Sequence, residues 1–180
     1  MTETDRHYFV MGSGSRSMIL EPDARSIYDN LEAFVLELYE SHPNMVCYSG
    51  MAEGWDEALA KVCMRNKIPY ICVIPHPTYG VYYWRDHSVT GRDRHSTYLE
   101  LLQHASSYVT VANTLYVDGV HANFVRNQWM VDRSQLALVY KATSPGTRDA
   151  VARMEQRSPK LPKLVYPFKL QSDPHQESLL

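Results

Sequence analysis

The sequence predicts an α/β protein: a single Rossmann-like domain with a mostly parallel sheet and helices on both faces. Three observations carry this. Short apolar runs alternate with segments whose apolar residues recur every three or four positions, the pattern of strands alternating with amphipathic helices. The chain has 180 residues, enough for one domain with a full core and too few for two comfortable ones. The best-defined run, Tyr70-Ile71-Cys72-Val73-Ile74, is apolar throughout and bounded by prolines, which suits an interior parallel strand buried on both faces.

The elements follow in order. Tyr8-Phe9-Val10-Met11 reads as a buried strand, broken by Gly12-Ser13-Gly14-Ser15 into a tight loop. Ile27, Leu31, Phe34, Val35 and Leu38 then mark one helical stripe, so a helix is expected over about 22–39, stopped by His42-Pro43. Met45-Val46-Cys47-Tyr48 is a second strand ended by Ser49-Gly50. Trp55, Ala58, Leu59, Val62 and Cys63 form the stripe of a second helix, and 70–74 is the third strand. Residues 75–96 hold three His, three Tyr, three Arg and one Trp without a period. They read as a long ordered loop, because loops of this length are functional or disordered and the aromatic load argues against disorder. A short helix is expected over 97–105, a strand over 108–111, a helix over 121–132, a strand over 136–140, a helix over 147–156 and a last strand over 164–166. The domain is taken as 7–168, with a flexible polar tail at 171–180.

Composition limits the functional classes. Thirteen Tyr and three Trp stand against four Phe, so many rings carry a polar handle suited to a core edge or a ligand. Net charge is −2 with no long basic run, which counts against strong sequence-independent nucleic-acid binding but leaves a local patch open. Cys47, Cys63 and Cys72 are odd in number and widely spaced; they read as buried free thiols in a reducing compartment. No apolar run reaches the ~18 residues of a membrane span. The start, MTETDRHYF, lacks the apolar core of a signal peptide. A cytoplasmic location is expected.

Ligands of open parallel sheets bind beyond the C-terminal strand ends, which directs attention to three loops. In Gly12-Ser13-Gly14-Ser15-Arg16, small residues would let amides approach an anion and Arg16 would add a phosphate contact; a plain strand-to-helix turn accounts for the residues equally. Ser49-Gly50-Met51-Ala52-Glu53-Gly54-Trp55-Asp56 leads into a helix amino end that favours an anion. Glu53 and Asp56 there are also ordinary first-turn acids, while Asp56 is suited to accept hydrogen bonds from a ribose or base. Thr143-Ser144-Pro145-Gly146-Thr147-Arg148-Asp149 offers hydroxyls, an open backbone and a charge, although Ser144 or Thr147 alone is explained as an N-cap. A fourth segment places Asn123, Arg126 and Asn127 on one helix face beside Phe124 and Val125, either as a solvated face or as partners of a purine edge and its phosphate.

The order strand-GSGSR, strand-SGMAEGWDEALA, strand-IP, strand-SPGTRDAV resembles the SLOG superfamily over about 7–168. That group includes the DprA/Smf, YpsA-like and Lonely Guy proteins. The resemblance implies a Rossmann-like fold and a nucleotide or nucleotide-derived ligand, lined by Gly12, Ser13, Arg16, Gly50, Met51, Ala52, Asp56, Ser144, Gly146 and Thr147. Lonely Guy enzymes carry a catalytic Glu three residues after their Gly-Thr; here that position is Ala150. The Gly-Thr-Arg form looks nearer to YpsA-like members.

The leading expectation is therefore a nucleotide-binding module. The ligand set is Gly12, Ser13, Gly14, Arg16, Ser49, Gly50, Met51, Ala52, Trp55, Asn123, Arg126, Asn127, Ser144, Pro145, Gly146, Thr147 and Arg148. The alternative is an enzyme cleaving or transferring an N-glycosidic bond, with Asp56 or Glu53 as the acting carboxylate. A second alternative, allowed by the DprA resemblance, is single-stranded DNA binding. Tyr79, Tyr82, Tyr83 and Trp84 are expected to form either a lid that stacks on a base or a dimer contact, and a homo-oligomer is expected. His76, His87 and His95 match no zinc spacing, so no metal and no cofactor are expected, nor any membrane partner.

Overall fold

The computed structural model describes residues 7–168, so the tail expected at 171–180 lies outside the described residues. The chain runs β1 (Tyr8–Gly14), α1 (Ala24–Ser41), β2 (Met45–Ser49), α2 (Trp55–Asn66), β3 (Tyr70–Ile74), α3 (His95–His104), β4 (Ser107–Thr110), β5 (Tyr116–Val117), β6 (Val120–His121), α4 (Ala122–Arg133), β7 (Leu136–Tyr140), α5 (Pro145–Gln156) and β8 (Lys163–Val165). Six strands form one parallel sheet in the order β4-β3-β2-β1-β7-β8. This is the Rossmann-like α/β architecture that the alternation predicts.

Strand side chains alternate between two cores, as a pleat requires. Val10, Cys47, Cys72 and Leu138 pack with Ile27, Leu31 and Val35 of α1, Leu59 and Val62 of α2 and Leu101 of α3. Met11, Tyr48, Val73, Ala137 and Val139 pack with Met130 and Val131 of α4 and Ala150 and Met154 of α5. The strand order reverses between β1 and β7. The chain first builds outward through β2, β3 and β4, then returns to the other side of β1.

Three local expectations change. Gly12, Ser13 and Gly14 are not a loop. They extend β1, in register with Leu138, Val139 and Tyr140 of β7. The glycines serve helix packing: a Cβ on Gly14 would lie 2.5 Å from Trp55 Cβ, and one on Gly12 would lie 2.8 Å from Leu59 Cδ2. Glycine inside a strand marks such a close approach. The break comes at Ser15, whose side chain accepts the Ser17 amide and caps a 3-10 turn, Arg16–Leu20. The long ordered loop 75–96 holds a π-helical turn, Val81–Asp86, that its lack of a period does not predict. β5 and β6 form an antiparallel hairpin absent from the sequence reading. Its turn, Asp118-Gly119, has both φ angles positive, the geometry for which Asp-Gly is suited, but strands of two residues leave no periodic trace.

Candidate functional site

The loop after β2 is folded inward by its own side chains. Ser49 Oγ donates to the Asp56 carbonyl at 2.9 Å and accepts the Met51 amide at 3.2 Å. Met51 takes a left-handed φ of 56°, and its carbonyl accepts from Trp84 Nε1 at 2.9 Å. This brings Asp56, at the start of α2, beneath Gly50. Asp56 is 3% exposed. The Ala52 amide donates to its carboxylate, and its Oδ1 has no partner.

Arg126 arrives from α4, 7% exposed. It donates to the Gly50 carbonyl at 2.7 Å and to Asn127 Oδ1 at 3.1 Å, while its Nε has no partner. The two charged groups meet at Gly50, where a Cβ would lie 2.7 Å from Asp56 Oδ2 and 3.0 Å from Arg126 Nε. No ion pair joins them among the described residues. Burial pushes the Asp56 carboxyl up to about 6, although the Arg126 charge and the Ala52 amide pull it down.

Two rings adjoin this pair, Tyr79 acted on by both charges and His121 by that of Arg126, and further rings and amides adjoin them. His76, two residues past the end of β3, is buried, with Nδ1 3.1 Å from Thr78 Oγ1 and Nε2 unpartnered. His121 caps α4: its Nδ1 accepts the Asn123 amide at 3.1 Å, which places the proton on Nε2. Burial first and His121 second hold His76 below the usual histidine range; for His121 the causes are burial and then Arg126. Asn123 Nδ2 donates to Tyr83 Oη at 3.4 Å, and its Oδ1 is unpartnered. Burial pushes the Tyr79 phenol up to about 12, and Arg126, Arg16 and Asp56 are among the charges acting on it. Its ring centroid lies 5.7 Å from His76 and 4.8 Å from Tyr83.

Glu53 has a different place. It is fully buried, and its carboxylate accepts from Arg16 at 2.9 Å, Ser88 at 2.7 Å, the Val89 amide at 2.8 Å and Arg94 at 3.1 Å. Four donors fill the lone pairs of a carboxylate, so Glu53 has none left to activate water. A two-carboxylate glycosidase pair with Asp56 is not assembled. Arg16 likewise binds the Tyr83 and His87 carbonyls at 3.3 and 2.9 Å and lies over the Tyr83 ring. Arg94 also pairs with Glu57. Together these bonds strap residues 81–94 across the start of α2.

Other expected ligand residues serve the core. Trp55 is buried, donates to the Leu138 carbonyl at 3.0 Å and stacks on Tyr140. Ser13, Ser49, Met51 and Ala52 are buried. Tyr79 and Trp84 are buried too, so they form no surface lid; Tyr82 alone of that group is well exposed. Asn127 donates at 2.9 Å to the Gly146 carbonyl and to Asp149, tying α4 to the start of α5. There Ser144 caps the Thr147 amide, Pro145 opens the helix, nothing crowds Gly146 and Arg148 is exposed.

The three loops follow neighbouring strands; Arg126 and Asn127 join the second to the third, while Arg16 of the first binds Glu53 of the second. Among the described residues, Asp56, His76, Asn123 and Arg126 each keep an unpartnered buried atom, and so do Arg16 just after β1 and Asn30 on α1. His76, Tyr79, Tyr83 and His121 are the wall residues missing from the expected ligand set. A position two residues past a strand end and one directly before a helix are the signals for His76 and His121. Among the described residues no cluster of three or more His, Cys, Asp or Glu is placed to hold a metal ion. One cavity of about 400 Å³ opens just past β4, lined by Val111–Thr114 and Tyr116–Asp118; another, of about 210 Å³, lies beside α2, lined by Met18, Tyr28 and Lys61 among others, apart from the Asp56–Arg126 pair.

No family model matches the chain, and no curated protein matches it. The fold is shared with solved structures. DNA processing protein A from Streptococcus pneumoniae aligns with a TM-score of 0.58 and 16% identity, over 92% of this chain and 52% of that one. DNA processing protein A from Helicobacter pylori, described for its single-stranded DNA binding mode, aligns with a TM-score of 0.56 and 16% identity, over 93% and 69%. This chain spans about half the length of the Streptococcus protein. Both neighbours are DprA proteins, whereas the sequence resemblance points nearest to YpsA-like members; at this identity the likeness is one of fold.

Proposed function

We propose that the protein binds a nucleotide at the C-terminal edge of its sheet, as a SLOG-type domain. The observation that carries this is the Asp56–Arg126 pair. Opposite charges lie buried side by side, each with an unsatisfied atom, and no ion pair joins them. Buried polar groups left in this state are costly, and the polar edge of a ligand satisfies both at once. The pair carries no net charge, so it suits a neutral base or sugar. A phosphate fits the amino end of α5, where Gly146 leaves the backbone open and Arg148 adds charge. Calorimetry against nucleoside mono- and diphosphates and ADP-ribose-like compounds tests the reading. Binding that weakens at least tenfold in Asp56→Asn is expected; no heat from any compound ends the proposal.

Single-stranded DNA is the second reading, supported by the fold shared with the Helicobacter protein. Exposed rings at Tyr82 and Tyr116 would serve as stacking surfaces for bases. With a net charge of −2, such binding would be weak and lost with modest salt. Fluorescence anisotropy of labelled oligonucleotides at low and moderate salt decides it, since absence of salt-sensitive binding removes this reading.

A further inference from the structure

We infer that the chain pairs with a second copy of itself through β4, the two strands lying antiparallel about a two-fold axis so that one sheet runs through both copies. β4 ends the sheet: β3 takes one side and, among the described residues, no strand takes the other. The outer side of an edge strand presents a row of unpaired N–H and C=O groups. The strand is open to solvent, with Ser107, Tyr108 and Thr110 exposed and Val109 half-buried.

The two edges of the sheet differ. β8, the other edge, carries Lys163, paired with Glu155, and lies between Pro162 and Pro167. Charge and proline are devices that keep an edge from pairing. β4 has neither: residues 105–117 contain no Lys, Arg, His, Asp, Glu or Pro. Nor does a bulge disturb it, since Ser107–Thr110 match Ile71–Ile74 one to one.

The same segment says which partner fits. A two-fold contact sets the same patch of both copies face to face, so a charged edge would bring like charges together. The uncharged edge of β4 escapes this. Two such edges in antiparallel order supply the donors and acceptors that each lacks. Tyr108 is 63% exposed, which leaves its ring free to pack across the axis, and Tyr116, Val117 and Val120 of the hairpin are exposed too. The cavity lined by Val111–Thr114 and Tyr116–Asp118 sets that hairpin beside the end of β4. β4 has only four residues, so the contact falls below the ~1,200 Å² of a standard interface and the dimer is reversible. Antiparallel pairing turns the C-terminal strand ends of the two copies in opposite directions. The nucleotide sites proposed above therefore stay separate, and the dimer does not depend on that reading.

The test is sedimentation velocity of the full chain from about 1 to 500 µM, the weak range of small interfaces, with hydrogen exchange at both ends of it. A monomer–dimer equilibrium is expected, and the amides of β4 should exchange about tenfold more slowly where the dimer predominates. Tyr108→Lys sets like charges across the axis and should weaken association about tenfold or more, with folding checked by thermal melting. The exchange measurement on the parent chain needs no variant and decides the matter if Tyr108→Lys misfolds. A chain that stays monomeric throughout overturns the inference and leaves the edge to an extended segment of another protein. A dimer whose β4 amides exchange alike at both concentrations, or one that persists in folded Tyr108→Lys, is built on another surface and overturns it too. Protection of β4 already in the monomer shows the edge covered from within the chain, with the same consequence.

Discussion

At the scale of one residue, Asp56 links the proposed binding site to stability. Burial raises its carboxyl to about 6 in the folded chain, against about 4 for an unfolded aspartate. The folded state holds that proton more tightly, so the stabilising contribution is full below about pH 4 and is lost as pH rises through 6. Above that range the ionised group costs the fold on the order of 2 kcal/mol. Asp56→Asn should therefore match or exceed the parent in stability at pH 7.5, by about 1–2 kcal/mol, and flatten the change in stability between pH 4 and 6.5. Urea melts across that range measure it; a variant clearly less stable at pH 7.5 would refute the assignment. Gly14 makes the opposite point. Alanine there would drive a Cβ to 2.5 Å from Trp55, so Gly14→Ala should lose about 1–3 kcal/mol or more by overpacking, read from the same melts.

At the scale of elements, the strap of residues 81–94 is held mainly by Glu53. Its partners Arg16 and Arg94 pair with it at 2.9 and 3.1 Å, and the Glu53 side chain is fully buried. Breaking a buried pair by removing one charge leaves the others uncompensated, at a cost of about 3–5 kcal/mol. Glu53→Gln should show a loss of that order in denaturant melts. Its amides over 81–94 should also exchange faster with solvent than in the parent, while those of β3 change little, because local opening follows the loss of local contacts. Equal protection of the strap in both proteins would show that Arg94–Glu57 and Trp84 suffice to hold it. α5 carries a second element-scale tie: Asn127 reaches the Gly146 carbonyl and Asp149, and Arg153 also binds Asp149 at 2.8 Å. Movement of the α5 amino end is thereby coupled to Arg126, its neighbour on α4.

For the whole molecule, the thiols report the integrity of the fold. Cys47, Cys63 and Cys72 are fully buried and free. The Cys63 thiol is raised well above its ordinary range by its hydrogen bond with Cys47 and by burial, and burial pushes Cys72 up to about 12. Reactivity needs a thiolate with access to reagent. A thiol-specific reagent should label none of the three in the native protein and all three in denaturant, with native labelling limited by opening of the fold. Fast labelling of one cysteine under native conditions would contradict this packing. No helix among the described residues is long and apolar enough to cross a membrane.

The sequence by itself determined the class of fold and the order of the sheet strands and α-helices, though not the β5–β6 hairpin. Strands 70–74 and 136–140 match the structure residue for residue, because a strand buried on both faces is apolar at every position and has sharp ends. It also singled out Asp56, Arg126 and Asn123, since polar side chains next to strand ends and helix starts are visible locally. Only the tertiary structure decided which of these meet. Gly12 and Gly14 look like an anion loop in one dimension and prove to be the clearance for α2. Glu53 and Asp56 are two acids three residues apart, yet one is saturated by Arg16, Arg94, Ser88 and Val89 while the other keeps an unpartnered oxygen. Those donors come from residues 35 to 41 positions away along the chain, or 37 in the other direction. Local pattern reports backbone propensity and burial, whereas the state of a carboxylate depends on donors that only chain folding brings within hydrogen-bond reach.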